Sequence, residues 1–192
     1  MFAVVERIRK GHRLEKAIFL LGYLYLAFWN HFLNKIPSYF IRYYIAKYLY
    51  GLRIGRSNLH SGIFLLSPWN ISIGDDCNVQ MNCFLDGRGG LVIEDNVDLT
   101  MCVKVLTEQH DIDSPTYETV KKPVFIKSNA VVGSFSLILP GVTVHEGGVV
   151  GAGSVVTRDV PPYSMVAGNP AVKKRDRNRT VSYRLDFKRP FH

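Results

Sequence analysis

Six histidines are the groups in this chain best suited to move a proton near neutral pH, since an unperturbed imidazole titrates at about 6.5. His12 and His31 lie in a basic, apolar-rich front and His192 lies at the end; His60 and His145 fall inside a regular repeat. His110 stands apart. It sits in "LTEQHDID" (106–113), at the start of a long interruption of that repeat (107–125), where an irregular loop can project a side chain into a cleft. Asp111, Glu108 or a backbone carbonyl can orient its ring, and the sequence leaves open which nitrogen carries the proton. The three cysteines, Cys77, Cys83 and Cys102, fall within or beside repeat units. Their odd count, with no Cys-x-x-Cys and no histidine at ligand spacing, speaks against a disulfide framework or structural zinc and fits a reducing, cytoplasmic setting. They read as small wall residues, with Cys102 the thiol to weigh against His110 as a covalent nucleophile.

The element that must hold these groups is written in a six-residue beat. Ile126, Val132, Ile138, Val144, Val150 and Val156 are spaced six apart, and Ala130, Ser136, Val142, Gly148 and Ser154 follow the first five at four residues' distance. A helix would scatter such a pattern over its surface, and thirty residues far exceed a normal strand. Fixed self-similarity predicts a solenoid, each coil burying its aliphatic interior against the next. The beat also runs earlier, through Ile54, Ile73, Val79 and Leu85; "GRGG" (87–90) adds two residues before Ile93, Leu99 and Val105 resume it.

Together "IGDDCNV", "IEDNV", "LPGVTV", "VVGAGSVVTRDVP" and "AGNPAV" resemble the hexapeptide-repeat acyltransferases over residues 51–175. Within them the chain is similar to the galactoside/maltose O-acetyltransferase branch and to acetyltransferases of exopolysaccharide and lipopolysaccharide biosynthesis. The resemblance implies a mainly β fold: a left-handed parallel β-helix with N-terminal helices and a basic C-terminal tail, assembled as a homotrimer. Left-handedness comes from the resemblance alone, since crossovers between parallel strands are otherwise right-handed.

The resemblance also assigns roles. Acetyl-CoA is the implied co-substrate, with no metal, and the acceptor is a sugar or polysaccharide precursor. The family's catalytic base carries over to His110, and its oxyanion-stabilising Gly-Ser pair to Gly133-Ser134. Coenzyme A positions carry over to Ser134, Gly151, Ala152, Thr157, Arg158 and Arg175, with Lys173 and Lys174 as further cations for its phosphates. Asn82 matches the family's sugar-contacting Asn and Asp86 is a second expected contact, though both also read as corner-turn residues; Trp69 either stacks on a sugar or packs against the front helices. The expected reaction is direct attack of the sugar oxygen on the thioester, without an acyl-enzyme. One departure is at Val131, where the family often has a Trp flanking the site.

Net charge is +8, unevenly spread. Residues 1–56 hold ten Lys/Arg against two acids, residues 171–192 eight against two, and the stretch between them six against twelve. Basic ends attract phosphates or anionic membrane surfaces; no nucleic-acid motif accompanies them, so nucleic acid is not an expected partner. "AIFLLGYLYLAFW" (17–29) is short for a span, which needs about 20 apolar residues, and no small-residue cleavage site follows it. "SYFIRYYIAKYLY" (38–50) reads as a second helix after Pro37. Two readings stand for this front: packing on the coil end or a neighbouring subunit, or lying on the inner face of a membrane. The expected organisation is a helical segment (1–50), the coil with its loop (51–170) and the tail (171–192). Rival functions are amino-sugar N-acetylation, a zinc γ-carbonic anhydrase, for which paired histidines are missing, and a non-catalytic scaffold.

Overall fold

The computed structural model describes residues 13–180 and 182–186. His12 and His192, with the rest of the extreme ends, lie outside the described residues. Helix α1 (Arg13–His31) leads into a short turn and α2 (Tyr39–Tyr44), which Ile45–Leu49 extends as a single π turn. The second helix is therefore shorter than the sequence predicts, and its last turn is wider.

Fifteen short strands then wind five complete coils. The first is β1 (Arg53–Ile54), β2 (Asn58–Leu59) and β3 (Phe64–Leu66); the second is β4 (Ile71–Ile73), β5 (Asn78–Val79) and β6 (Phe84–Asp86). The third is β7 (Leu91–Ile93), β8 (Asp98–Leu99) and β9 (Lys104–Val105), after which β10 (Glu108–His110) and β11 (Thr119–Lys121) form an excursion. The fourth is β12 (Val124–Ile126), β13 (Val131–Val132) and β14 (Leu137–Ile138), and the fifth is β15 (Thr143–Val144), β16 (Val149–Val150) and β17 (Val155–Val156). A partial turn ends in β18 (Ser164–Gly168) and β19 (Ala171–Asp176).

Strands stack in register on three faces of a left-handed parallel solenoid. On the first face Ile54, Ile73, Ile93, Ile126 and Val144 form one inward column. Leu59, Val79, Leu99, Val132 and Val150 form the second, and Leu65, Leu85, Val105, Ile138 and Val156 the third. All are at most 5% exposed, so each contributes about 1.5–3 kcal/mol of burial that no single coil could supply alone. The small residues of the beat, Ala130, Ser136 and Ser154, are buried at the corners.

An open solenoid end exposes unpaired strand edges, and the front helices close all three. Asn30 both donates to the Leu65 carbonyl (3.0 Å) and accepts from its N–H (2.9 Å), and Trp29 Nε1 donates to Ile63 O at 3.1 Å. The buried Arg42 donates to Leu59 O at 3.1 Å on the second face, and Tyr43 OH to Gly55 O at 2.9 Å on the first. At the far end β19 pairs antiparallel with β18. The chain then turns back along the edge between the first and second faces. Arg177 donates to Asn129 O (2.8 Å) and Gly147 O (3.0 Å), and Asn96 brackets the backbone of Tyr183 and Leu185. What the sequence predicts as a basic tail is, over its described part, a docked strap.

Candidate active site

The loop after β9 leaves the edge between the third and first faces as an antiparallel hairpin in which His110 opposes Thr119. Tyr117 beyond it adopts φ +51°, a left-handed conformation uncommon for a bulky residue, which aims its carbonyl back at the strand. His110 Nδ1 lies 3.1 Å from that oxygen, and the imidazole stacks on the Tyr117 ring at 4.2 Å and 11°. A carbonyl only accepts, so Nδ1 carries the hydrogen, and in the neutral form of this exposed ring Nε2 is the nitrogen with the lone pair. Of the three orienting groups the sequence leaves open, the backbone carbonyl is the one in place. Glu108 is engaged by Arg88 (2.5 Å) and Lys121 (3.7 Å), and Asp111 accepts from the Asp113 N–H (3.0 Å).

Asp86, expected to contact sugar, does something else. Its carboxylate is fully buried, accepting from Arg88 N and Nε (each 2.9 Å), from Arg88 NH2 (3.0 Å) and from Thr107 N–H (3.0 Å). Thr107 returns its hydroxyl to Asp86 O at 3.0 Å and receives the Gly89 N–H at 2.8 Å. Burial alone would raise the Asp86 pKa, but the hydrogen bonds from Arg88 and Thr107 and the Arg88 charge together hold it below the usual carboxylate range. Asp86 and Arg88 thus clamp the root of the hairpin that carries His110. The sequence shows Arg88 only as the charged member of "GRGG"; its partner Glu108 is twenty residues away.

The edge between the second and third faces carries a different set. One residue per coil there takes a left-handed φ: Gly62, Asn82, Cys102, Phe135 and Gly153, between +59° and +74°. Glycine and asparagine suit that conformation; Cys and Phe do not. Phe135 is nonetheless 70% exposed, an apolar lip that sequence reasoning missed. The signal was present: a Phe occupies a repeat position that otherwise takes Gly, Asn or Cys. Ser134 precedes it, with its Oγ donating to Thr100 Oγ1 at 3.1 Å. Among the described residues no acceptor is recorded for the Ser134 N–H. Gly133 lets two coils approach, since a Cβ there would stand 2.5 Å from Ala152 N. Gly151 does the same against Ala167, and Ala152 and Asn82 are exposed along this edge.

Thr157 and Arg158 are exposed on the edge of the His110 loop, after β17. Arg175 is exposed on β19, its guanidinium donating to Asp176 O at 3.2 Å, while Lys173 is paired with Asp176 at 2.6 Å. Small residues with accessible backbone and exposed cations suit a pantetheine arm and its phosphates. Within one chain, however, the two edges stand a full face apart. Trp69 lies in the Pro68–Asn70 turn beside Gly51. The buried thiols are poor nucleophiles: burial pushes Cys77 up to about 11 and Cys83 up to about 12, keeping both protonated.

Comparison with known proteins gives one picture. The family model described as the hexapeptide repeat of succinyl-transferase matches residues 69–87 and 123–158. A putative acetyltransferase of Staphylococcus aureus (strain Mu50) is 39% identical over 114 residues, covering 56% of this chain and 57% of that protein; the chain spans little more than half the length of the curated relatives it matches. The crystal structure of a hexapeptide-repeat-containing acetyltransferase of Vibrio cholerae O1, complexed with acetyl coenzyme A, superposes with a TM-score of 0.73 at 29% identity, covering 80% of this chain and 86% of that one. A maltose O-acetyltransferase of Clostridium difficile 630 superposes with a TM-score of 0.71 at 28% identity, covering 82% and 84%. The repeat, the three-faced coil and these likenesses agree: the chain is similar to the hexapeptide-repeat acetyltransferases and shares their fold.

Proposed function

We propose that this protein transfers the acetyl group of acetyl coenzyme A to a sugar hydroxyl, as a homotrimer serving bacterial surface-polysaccharide synthesis. The observation that carries the reading is the His110–Tyr117 contact, which gives the neutral ring's hydrogen to Nδ1 and so makes Nε2 its basic nitrogen, on an exposed, projecting loop. In the reaction Nε2 takes the proton of the acceptor hydroxyl as its oxygen attacks the thioester carbonyl. The oxyanion of the tetrahedral intermediate meets the Ser134 N–H, a contact of a kind worth about 3 kcal/mol. Collapse breaks the C–S bond, and the departing thiolate takes the proton from the imidazolium. The products are an O-acetyl sugar and free coenzyme A. Asn82 contacts the acceptor, Gly151 and Ala152 border the pantetheine arm, and Thr157, Arg158 and Arg175 receive the coenzyme's polar end.

The reacting atoms must come within about 3.5 Å of one another. Crossing the third face takes several extended residues at about 3.3 Å each, which parts His110 from Ser134 in one chain. We therefore infer that the base of one copy faces the Ser134 edge of the next, the arrangement a closed ring provides. The half-buried outward side chains of Leu137 and Val155 on the intervening face support self-association there. The acetyl coenzyme A complex of the Vibrio protein and the maltose acceptor named for the Clostridium protein support the donor and acceptor classes.

The test is a panel of sugar acceptors with acetyl coenzyme A, following thiol release. His110→Ala should lower turnover by about 10²–10⁴-fold while leaving assembly size unchanged. Wild-type turnover in that variant would remove the base from the mechanism.

A further inference from the structure

The front helices bury one face on the first coil and leave a second apolar face without cover. On α1, Leu26, Trp29, Asn30 and Leu33 beyond it turn toward the coil. Leu20, Leu21, Leu24, Phe28 and Phe32 recur at helical spacing and are 53–65% exposed. The next segment exposes Tyr44 and Tyr48, stacked 6.0 Å apart, and Leu49, whose carbonyl accepts from the Tyr25 hydroxyl of α1. Large apolar side chains exposed together on two joined segments mark an interaction site.

Its charge identifies the occupant. The sequence ahead of the apolar run is rich in cations, with ten Lys/Arg against two acids over residues 1–56, and among the described residues Lys16 on α1 and Lys35 just beyond it are exposed. Lys47 lies over the Tyr43 and Tyr48 rings, 5.4 and 5.9 Å from their centroids, as a long cationic side chain does at the rim of an apolar surface. A second copy docked on this patch would bring cations against cations. An anionic lipid surface complements both the charge and the apolar stripe. Among the described residues no helix is long and apolar enough to cross a membrane, so the helices lie on it. We infer that the outward face of α1 and the Tyr44–Leu49 segment seats the protein on a bilayer bearing anionic headgroups.

The test is co-sedimentation of the full chain with phosphatidylcholine vesicles and with phosphatidylcholine–phosphatidylglycerol vesicles. The wild type should pellet with the mixed vesicles and much less with phosphatidylcholine alone. Leu20→Gln/Leu24→Gln/Phe28→Gln, which keeps good helix formers, should weaken binding by more than about tenfold. Lys16→Gln/Lys47→Gln should lose the preference for phosphatidylglycerol in part. Wild type left in the supernatant with mixed vesicles, or undiminished binding by the triple variant, overturns the inference. A drop of the triple variant to a smaller assembly also overturns it, marking a contact between copies. Turnover of a soluble acceptor, read in parallel and expected to be unchanged, keeps this result separate from the acyl-transfer reading, so that either can fail alone.

Discussion

At the scale of single residues, the coil distinguishes positions that look alike in sequence. Gly133 and Gly153 both belong to the repeat. At Gly133 a Cβ would stand 2.5 Å from a neighbouring backbone nitrogen; at Gly153 it would meet nothing within 4 Å, but the backbone is at φ +68°. Gly153→Ala should therefore cost about 1 kcal/mol, the penalty of a left-handed alanine. Gly133→Ala should cost about 3 kcal/mol, because two coils must part. Melting midpoints of the two variants check the order; equal shifts would mean that the coil spacing yields freely. His110 illustrates what sequence can and cannot say. Its place at the interruption singled it out, but its tautomer depends on a carbonyl seven residues away, set by the backbone of Tyr117, a residue with no catalytic signature.

At the scale of elements, the six-residue beat made the coil legible because each repeat reports its own inward residue. The contacts that fix the loop and the cap were not legible, since they join residues twenty to thirty-five apart: Arg88 to Glu108, Asn30 to Leu65. The clamp made by Asp86 was hidden for the same reason; its Thr107 partner arrives only when the third coil closes. Asp86→Asn should lower kcat at least several-fold by loosening the hairpin, and cost about 2 kcal/mol by leaving Arg88 without its buried partner. An unchanged kcat would detach the clamp from catalysis. Because the folded pKa of Asp86 is depressed, the clamp's stabilisation is complete above the unfolded carboxylate value of about 3.9 and is lost as pH falls through the lower folded value. Hydrogen exchange of residues 107–121 should accelerate in that acid window, and less so in the Asn variant. Asn30→Ala, which strips both partners from Leu65 at the open edge, should lower stability by about 2 kcal/mol, read by urea unfolding.

At the scale of the whole molecule, the proposed reaction, with its base and its oxyanion donor on two different edges, predicts complementation. Chains with His110→Ala and chains with Gly151→Trp should each be nearly inactive alone. Co-expressed, they should regain turnover, because an intact loop on one can face an intact edge on the other. No recovery in verified mixed assemblies would place the whole site within one chain. The charge pattern also resolves at this scale. At the front, α1 carries an exposed apolar face, and the cations at the other end are partly spent on the strap, where Arg177 and Arg184 meet backbone oxygens and Asp76. Both ends read as basic in the sequence; the fold gives their described parts different surroundings.

The cap that shields the first coil precedes it in the chain and is made before it. Trp29, Asn30 and Arg42 leave the ribosome before the strands whose carbonyls they bind, and each later turn then has a finished surface waiting to receive it. Growth of the coil can thus proceed in one direction during synthesis, rung upon rung. A chain rearranged to begin at the fourth coil would have to assemble its rungs with no such template, and would expose bare strand ends to its neighbours while it did so.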